Sequence, residues 1–347
     1  MNIQSVSRET MQGRLIRYNE LIPCKSAFID AHTPNSDKKD NFCIIGPGVA
    51  ENPNQHVHLR LPHGYNIGAA GQPPHITNSL HSHFSAEVFM VFSGTWRIFW
   101  GAQGQHEAVV KPGEVVNVPT NMFRGFQNIG DDYGMMFTVL GGDDCGGGVV
   151  WAPQVLEAAQ DHGLVLLEDG TLIDTKAGET IPAGHQPVQP MSAQEVARFD
   201  EYSVAEMLAR FVCTTEQLRP ELGTRLGNAG LGTEYVRHHI IGPTGQSGTP
   251  VILQDDQAGF NLYGIAAVPG QGTSVTVRGE QEVWHVSRGQ WRLSWGQQGE
   301  QGSLEMGAGD VISIPAGVPK RLENIGPEDG FCFNVVNGVQ ADEAQIL

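Results

Sequence analysis

His81, His83 and Glu87, within the stretch HSHFSAEVFMVFSG that Gly94 closes, are the residues of this chain best suited to chemistry. Two imidazoles and one carboxylate are what a divalent transition metal takes from a protein, and three ligands leave positions open for oxygen or substrate, as in non-haem iron oxygenases. In an extended strand, side chains two apart share a face. His81 and His83 are therefore expected to point into one space, with Glu87 on the same parity. A second His-x-His pair, His56 and His58 in HVHLRL, has Pro62 where the carboxylate would stand, and is set aside as a metal site.

A further set follows the first: Gly113, Pro119, Asn121, Arg124 and Asn128 in GEVVNVPTNMFRGFQN. Together the two stretches resemble the paired motifs of the cupin superfamily. The family's second motif has Gly and His where this chain has Asn121 and Arg124, and that His is the usual fourth metal ligand. The resemblance implies a metal on His81, His83 and Glu87, with Arg124 beside it. Two roles are open to Arg124. It can pair with Glu87 in a metal-free barrel, or it can face the open side of a three-ligand metal. There its rigid fork of donors would bind a substrate carboxylate or phenolate, and this second role is the expectation. His75, in GQPPHITNSLHSH, is a candidate catalytic base or replacement ligand, set against the plainer reading of a rim histidine.

The elements that must position these residues occur twice. IIGP recurs at 44–47 and 240–243, GTWRIFWGAQG matches GQWRLSWGQQG, and GEVVNVPTNMFRGFQNIG matches GDVISIPAGVPKRLENIG, at an offset of 195 to 196. Short alternating apolar runs broken by Gly, Pro and Asn predict antiparallel β-structure. The expected architecture is all-β: two tandem cupin jelly-roll barrels with a helical connector. The boundaries are an N-terminal arm at 1–43, a barrel with the metal site at 44–142, a connector at 143–239 with short helices and a hairpin, and a degenerate barrel at 240–347. In the second copy Thr276 and Arg278 replace His81 and His83, Glu282 matches Glu87, and Lys320 matches Arg124. Arg and Lys have no lone pair to give a metal. They are read as replacing its positive charge around Glu282, so no metal is expected there.

The remaining residues are read more plainly. Trp96, Trp100, Trp291 and Trp295 repeat between copies at period two and suit the core. Phe84, Phe89, Met90 and Phe92 either line an apolar pocket or fill the barrel. His106 is expected exposed in a hairpin turn, and His285 stands where the first copy has Met90. In the connector, APQVLEAAQDHG predicts a helix ending at Gly163, and LVLLEDGTLIDT a hairpin at Asp169-Gly170. Ser192 with Glu195 and Ser203 with Glu206 read as capping boxes. The second of these opens a helix that could pack across the barrels.

A net charge of −17 argues against nucleic acid and anionic membranes as partners. Five scattered cysteines without a framework, no apolar leader and no span-length apolar run suit a cytoplasmic protein with reduced thiols. The bicupin layout resembles ring-cleaving dioxygenases of the quercetin and gentisate types. It implies Fe(II), with Mn, Ni, Co and Zn as alternatives, and an oxidoreductase that uses O2 on an anionic aromatic (phenolic, hydroxy-aromatic) or enolic small molecule. Oxalate decarboxylases share the layout but normally keep four ligands in both halves. A homodimer or larger assembly is implied by the resemblance alone. Two other functions stay open: a non-oxidative lyase, isomerase or decarboxylase with the metal as Lewis acid, and a non-catalytic small-molecule-binding bicupin.

Overall fold

The computed structural model describes residues 2–143, 148–221, 234–243, 249–254, 259–296, 301–338 and 344–347. Cys145 and most of the loop expected at 143–149 lie outside the described residues. The protein is mostly β and divides into two compact units. One comprises residues 22–62 and 66–214, the other 1–21, 63–65 and 215–347. Residues 1–21 and 22–43 fall in different units, and the segment 143–239 divides between them after residue 214.

In the first unit a seven-stranded sheet runs in the order Val212–Cys213, Val115–Val118, Glu87–Ser93, Gly134–Gly141, Tyr65–Gln72, Asp40–Ile45, Val57–Leu59. A five-stranded sheet holds Val150–Trp151, Thr77–Ser82, Arg124–Asn128, Trp96–Trp100 and His106–Val110. Inward residues of both sheets share one core, in which Trp96, Trp100, Phe89, Phe126, Val116 and Met136 are buried. Burying one indole contributes roughly 4–6 kcal/mol before entropy is counted. The parity read for the tryptophans therefore fixes which face of Trp96–Trp100 looks inward.

Two motif positions need special backbone. Gly94 has φ +85°, and a Cβ there would stand 2.8 Å from the Gly134 Cα. Asn121, where the cupin pattern has Gly, takes φ +57°. Asn tolerates that left-handed region better than most residues, so the substitution keeps the turn.

The second unit repeats the plan. Its seven-stranded sheet runs Leu15–Ile16, Val311–Ile314, Glu282–Arg288, Gly330–Asn337, Phe260–Ala267, Val236–Gly242, Ile252–Leu253. The five-stranded one holds Gly302–Met306, Trp291–Trp295, Lys320–Asn324, Thr276–Val277 and Gln345–Ile346. Trp291 and Trp295 are fully buried in its core.

The helix Pro153–Asp161, the Leu164–Leu166/Leu172–Asp174 hairpin and both capping boxes are present. The helix Val204–Arg210 belongs to the first unit. Its one buried side chain, Met207, joins the first barrel's core. His106 is half-buried rather than exposed and lies 3.0 Å from Glu201 Oε1 through its Nε2. Among the described residues no helix is long and apolar enough to cross a membrane.

Candidate metal centre

The three residues come from both sheets. His81 lies on the strand Thr77–Ser82 of the five-stranded sheet, opposite Arg124. His83 lies just past the end of that strand, and Glu87 opens a strand of the other sheet, opposite Val118 and Leu140. The parity expectation thus reached the right grouping for the wrong reason. The chain turns between Ser82 and Glu87 and crosses from one sheet to the other, and that crossing brings the carboxylate to the imidazoles. One ligand atom from each residue lies within 4.8 Å of those of the other two, and all three residues are buried.

Both rings are locked by their Nδ1 atoms. His81 Nδ1 lies 2.7 Å from the Ser79 carbonyl oxygen. His83 Nδ1 lies 3.0 Å from the Ser85 carbonyl oxygen and 2.9 Å from the Ser85 hydroxyl. A carbonyl only accepts, so each Nδ1 carries the hydrogen and each Nε2 presents a lone pair. Metal-binding histidines are held the same way in other proteins. His83 Nε2 is buried without a hydrogen-bond partner and stands 3.5 Å from Glu87 Oε2. A buried nitrogen lone pair without a hydrogen costs free energy, and a metal ion would satisfy it. The donor set therefore fits a divalent metal. Burial, and then Arg124, lower the pKa of both histidines, so they are neutral at pH 7 and need lose no proton to ligate.

Arg124 pairs with Glu87. It donates from Nη2 to Glu87 Oε2 at 2.8 Å, from Nε to the same oxygen at 3.2 Å, and from Nη1 to the His81 carbonyl at 3.2 Å. The expectation that it faces the open side as a substrate clamp does not match this geometry. Burial pushes the Glu87 carboxyl up, but Arg124 and the histidines outweigh it and hold the pKa below the usual carboxylate range. Glu87 is thus a fixed anion with one oxygen engaged by arginine.

His75 is not brought to the group. It is exposed in a turn at φ +66°, at the far end of its strand from His81, with its N–H on the Asn128 carbonyl. Phe84 points to solvent, whereas Phe89 lines a cavity of about 70 Å³ inside the first barrel that reaches His81 and Glu87.

The sequence reading missed a buried polar layer behind His81. Trp151 lies 5.4 Å from the His81 ring and donates to Glu51 Oε1 at 2.6 Å. Burial raises the Glu51 pKa to about 7. Lys39, fully buried, pairs with Asp30 and donates to Asn78 Oδ1 at 3.0 Å. Asp30, Lys39 and Glu51 come from segments with no periodic signal, and their meeting with Asn78 and Trp151 becomes visible only when the chain is folded.

The second barrel holds the ion-pair arrangement expected of it. Lys320 lies opposite Thr276, as Arg124 lies opposite His81. Its ammonium pairs with Glu282 Oε1, Arg278 Nε stands 3.6 Å from Oε2, and Asn334 donates to Oε2 at 3.0 Å. All four residues are buried. His285, stacked on Phe333, is held neutral by burial, its pKa lowered to about 3.

Solved structures share this architecture over the full length of the chain. A deletion mutant of Bacillus subtilis oxalate decarboxylase superposes with a TM-score of 0.56 at 12% identity, covering 100% of this chain and 81% of that one. Lactobacillus farciminis oxalate decarboxylase, in a formate complex, gives 0.57 at 14% identity, covering 100% of this chain and 90% of that one. A Bacillus subtilis oxalate decarboxylase structure described for its Mn(II) centres gives 0.56 at 12% identity, with coverage of 100% and 81%. The fold is that of a bicupin. No protein-family model matches the sequence, and no curated protein does. At these identities the likeness extends to the fold alone.

Proposed function

We propose that the first barrel is the single metal centre of an oxygen-dependent bicupin enzyme: an iron(II) dioxygenase acting on a small enolic or carboxylate anion. The observation that carries the reading is the tautomer lock. Both Nδ1 atoms are held by backbone carbonyls, which turns two Nε2 lone pairs, one of them buried and unpartnered, toward a fixed carboxylate. A divalent metal bound there supplies a Lewis-acid centre with open positions for oxygen and substrate oxygens. Mn, Ni, Co and Zn suit the same donors.

The chain's own residues divide the remaining work. Ser79 and Ser85 orient the rings. Arg124 keeps Glu87 ionised and in place, a role for a carboxylate's hydrogen-bond partner rather than for a substrate clamp. Phe89, Phe126 and Leu140 line the cavity and limit water around the reacting atoms. The cavity, at about 70 Å³, is under half the ~150 Å³ of an engineered cavity that takes benzene.

A second reading is supported by the full-length fold likeness to oxalate decarboxylases. In it the metal acts without oxygen, in a decarboxylase or related lyase. Metal analysis on purified protein, beside an oxygen electrode and an anaerobic turnover assay, separates the possibilities. One equivalent of metal per chain with substrate-dependent oxygen uptake supports the dioxygenase. Turnover without oxygen moves the function to the lyase. A protein that takes up no metal is a binding bicupin in which Arg124 does for Glu87 what Lys320 does for Glu282.

A further inference from the structure

Asn41 Nδ2 and Thr138 Oγ1 are buried polar atoms with no hydrogen-bond partner among the described residues, and both residues line the cavity that reaches His81 and Glu87. Unpaired buried polar groups are uncommon because each costs the desolvation it does not recover. Strand register places these two together. Asn41 lies opposite Ala70 and Cys43 opposite Gly68, while Thr138 lies opposite Phe89 and Leu140 opposite Glu87. All of these alternate onto the inner face of the seven-stranded sheet. The Thr138 methyl would be 3.3 Å from a Cβ on Gly68. The space exists because Gly68 and Ala70 bring almost no side chain to it.

The second barrel serves as an internal control. By the same register Arg237 replaces Asn41, His239 replaces Cys43, Tyr263 replaces Gly68, Ile265 replaces Ala70, Trp284 replaces Phe89 and Asn334 replaces Thr138. There Arg237 covers the Tyr263 ring at 4.1 Å, His239 stacks on it at 4.8 Å, and Asn334 is spent on Glu282. At the Asn41, Cys43, Gly68 and Ala70 positions the copy without histidine ligands has larger side chains than the copy with them.

We infer that this space is a substrate subsite, in which Asn41 and Thr138 hold one carboxyl group of a small acid, the rest of which extends beyond the cavity to the proposed metal centre. The inference rests on the proposed metal centre for that part only. Scaled from the ~150 Å³ that accommodates six benzene carbons, the cavity takes roughly three non-hydrogen atoms. A carboxyl group has that size, and it accepts the hydrogen bonds that an amide N–H and a hydroxyl offer.

The test is calorimetric titration of the wild-type protein, Thr138→Val and Asn41→Ala with oxalate, malonate and acetoacetate, with benzoate as the aromatic control. Metal content is read on the same samples. At least one of the three acids should bind the wild type more tightly than benzoate does. Each substitution should weaken that acid by about tenfold to a hundredfold, the range for a hydrogen bond to a charged group. Thr138→Val is nearly isosteric and removes an unpaired group, so it should leave the melting temperature unchanged or higher; a merely structural threonine would lower it. Binding by none of the three acids, or equal binding in all three proteins, overturns the inference. The metal reading fails separately: protein without metal that still binds an acid through Asn41 and Thr138 keeps the subsite and loses the metal centre.

Discussion

Removing the Arg124 guanidinium asks whether Glu87 is a buried anion that must have a cation. Arg124 and Glu87 are both buried, and Nη2 stands 2.8 Å from Oε2. Charges ~4 Å apart interact by about 4 kcal/mol at an effective dielectric of ~20, and breaking a buried pair typically costs about 3–5 kcal/mol. Arg124→Gln should therefore cost the metal-free first barrel about 3–5 kcal/mol. A divalent metal on His81, His83 and Glu87 supplies the missing positive charge, so the variant should recover about 2.7 kcal/mol at a hundredfold excess of metal over its Kd. Wild type, already neutralised, should gain less at the same metal concentration. Hydrogen exchange of peptides spanning Glu87–Ser93, with chelator and with Mn(II) or anaerobic Fe(II), reads this barrel directly. A loss under about 1 kcal/mol without metal would mean that Glu87 does not need the cation. Equal losses with and without metal would mean that no metal reaches it.

His81→Ala or His83→Ala should abolish metal binding, while His75→Ala, in an exposed turn, should leave metal content and turnover unchanged; elemental analysis and the oxygen electrode check both. Because burial and Arg124 lower the pKa of His81 and His83, metal occupancy should stay flat from pH 8 down to the ordinary histidine value of ~6.5, and a steep loss within that range would count against neutral ligands. His285, neutral with a pKa of about 3, binds fewer protons folded than unfolded, so its contribution is present above ~6.5 and is lost as pH falls toward 3, by up to about 5 kcal/mol. His285→Met, which installs the residue of the first copy, should lower the acid-unfolding midpoint of the second barrel, and an unchanged midpoint would refute the burial argument. Lys320→Met should destabilise that barrel by about 3–5 kcal/mol, and Lys320→Met with Glu282→Gln should regain most of it. Urea unfolding followed by circular dichroism measures both.

The motif spacings and the 195-to-196-residue repeat were legible because each reflects a local rule. Alternation put Trp96, Trp100, Trp291 and Trp295 inside, and capping boxes marked two helix starts. His81, His83 and Glu87 stood out from His56 and His58 because a carboxylate and a second motif follow them. The absence of histidine at Thr276 and Arg278 assigned the site to one copy. For Arg124 the fold supplied the partner, Glu87. The arginine's strand lies directly opposite His81, within reach of a carboxylate delivered from the other sheet. The polar layer of Asp30, Lys39, Glu51 and Trp151, and the space beside Asn41 and Thr138, were not legible at all. They depend on residues up to 100 positions apart meeting across two sheets. Sequence by itself determined which side chains are able to ligate a metal, since that is a property of residue type and short spacing. Tertiary structure alone decided what stands beside them and how much room they have, since pairing and volume are set by which strands become neighbours.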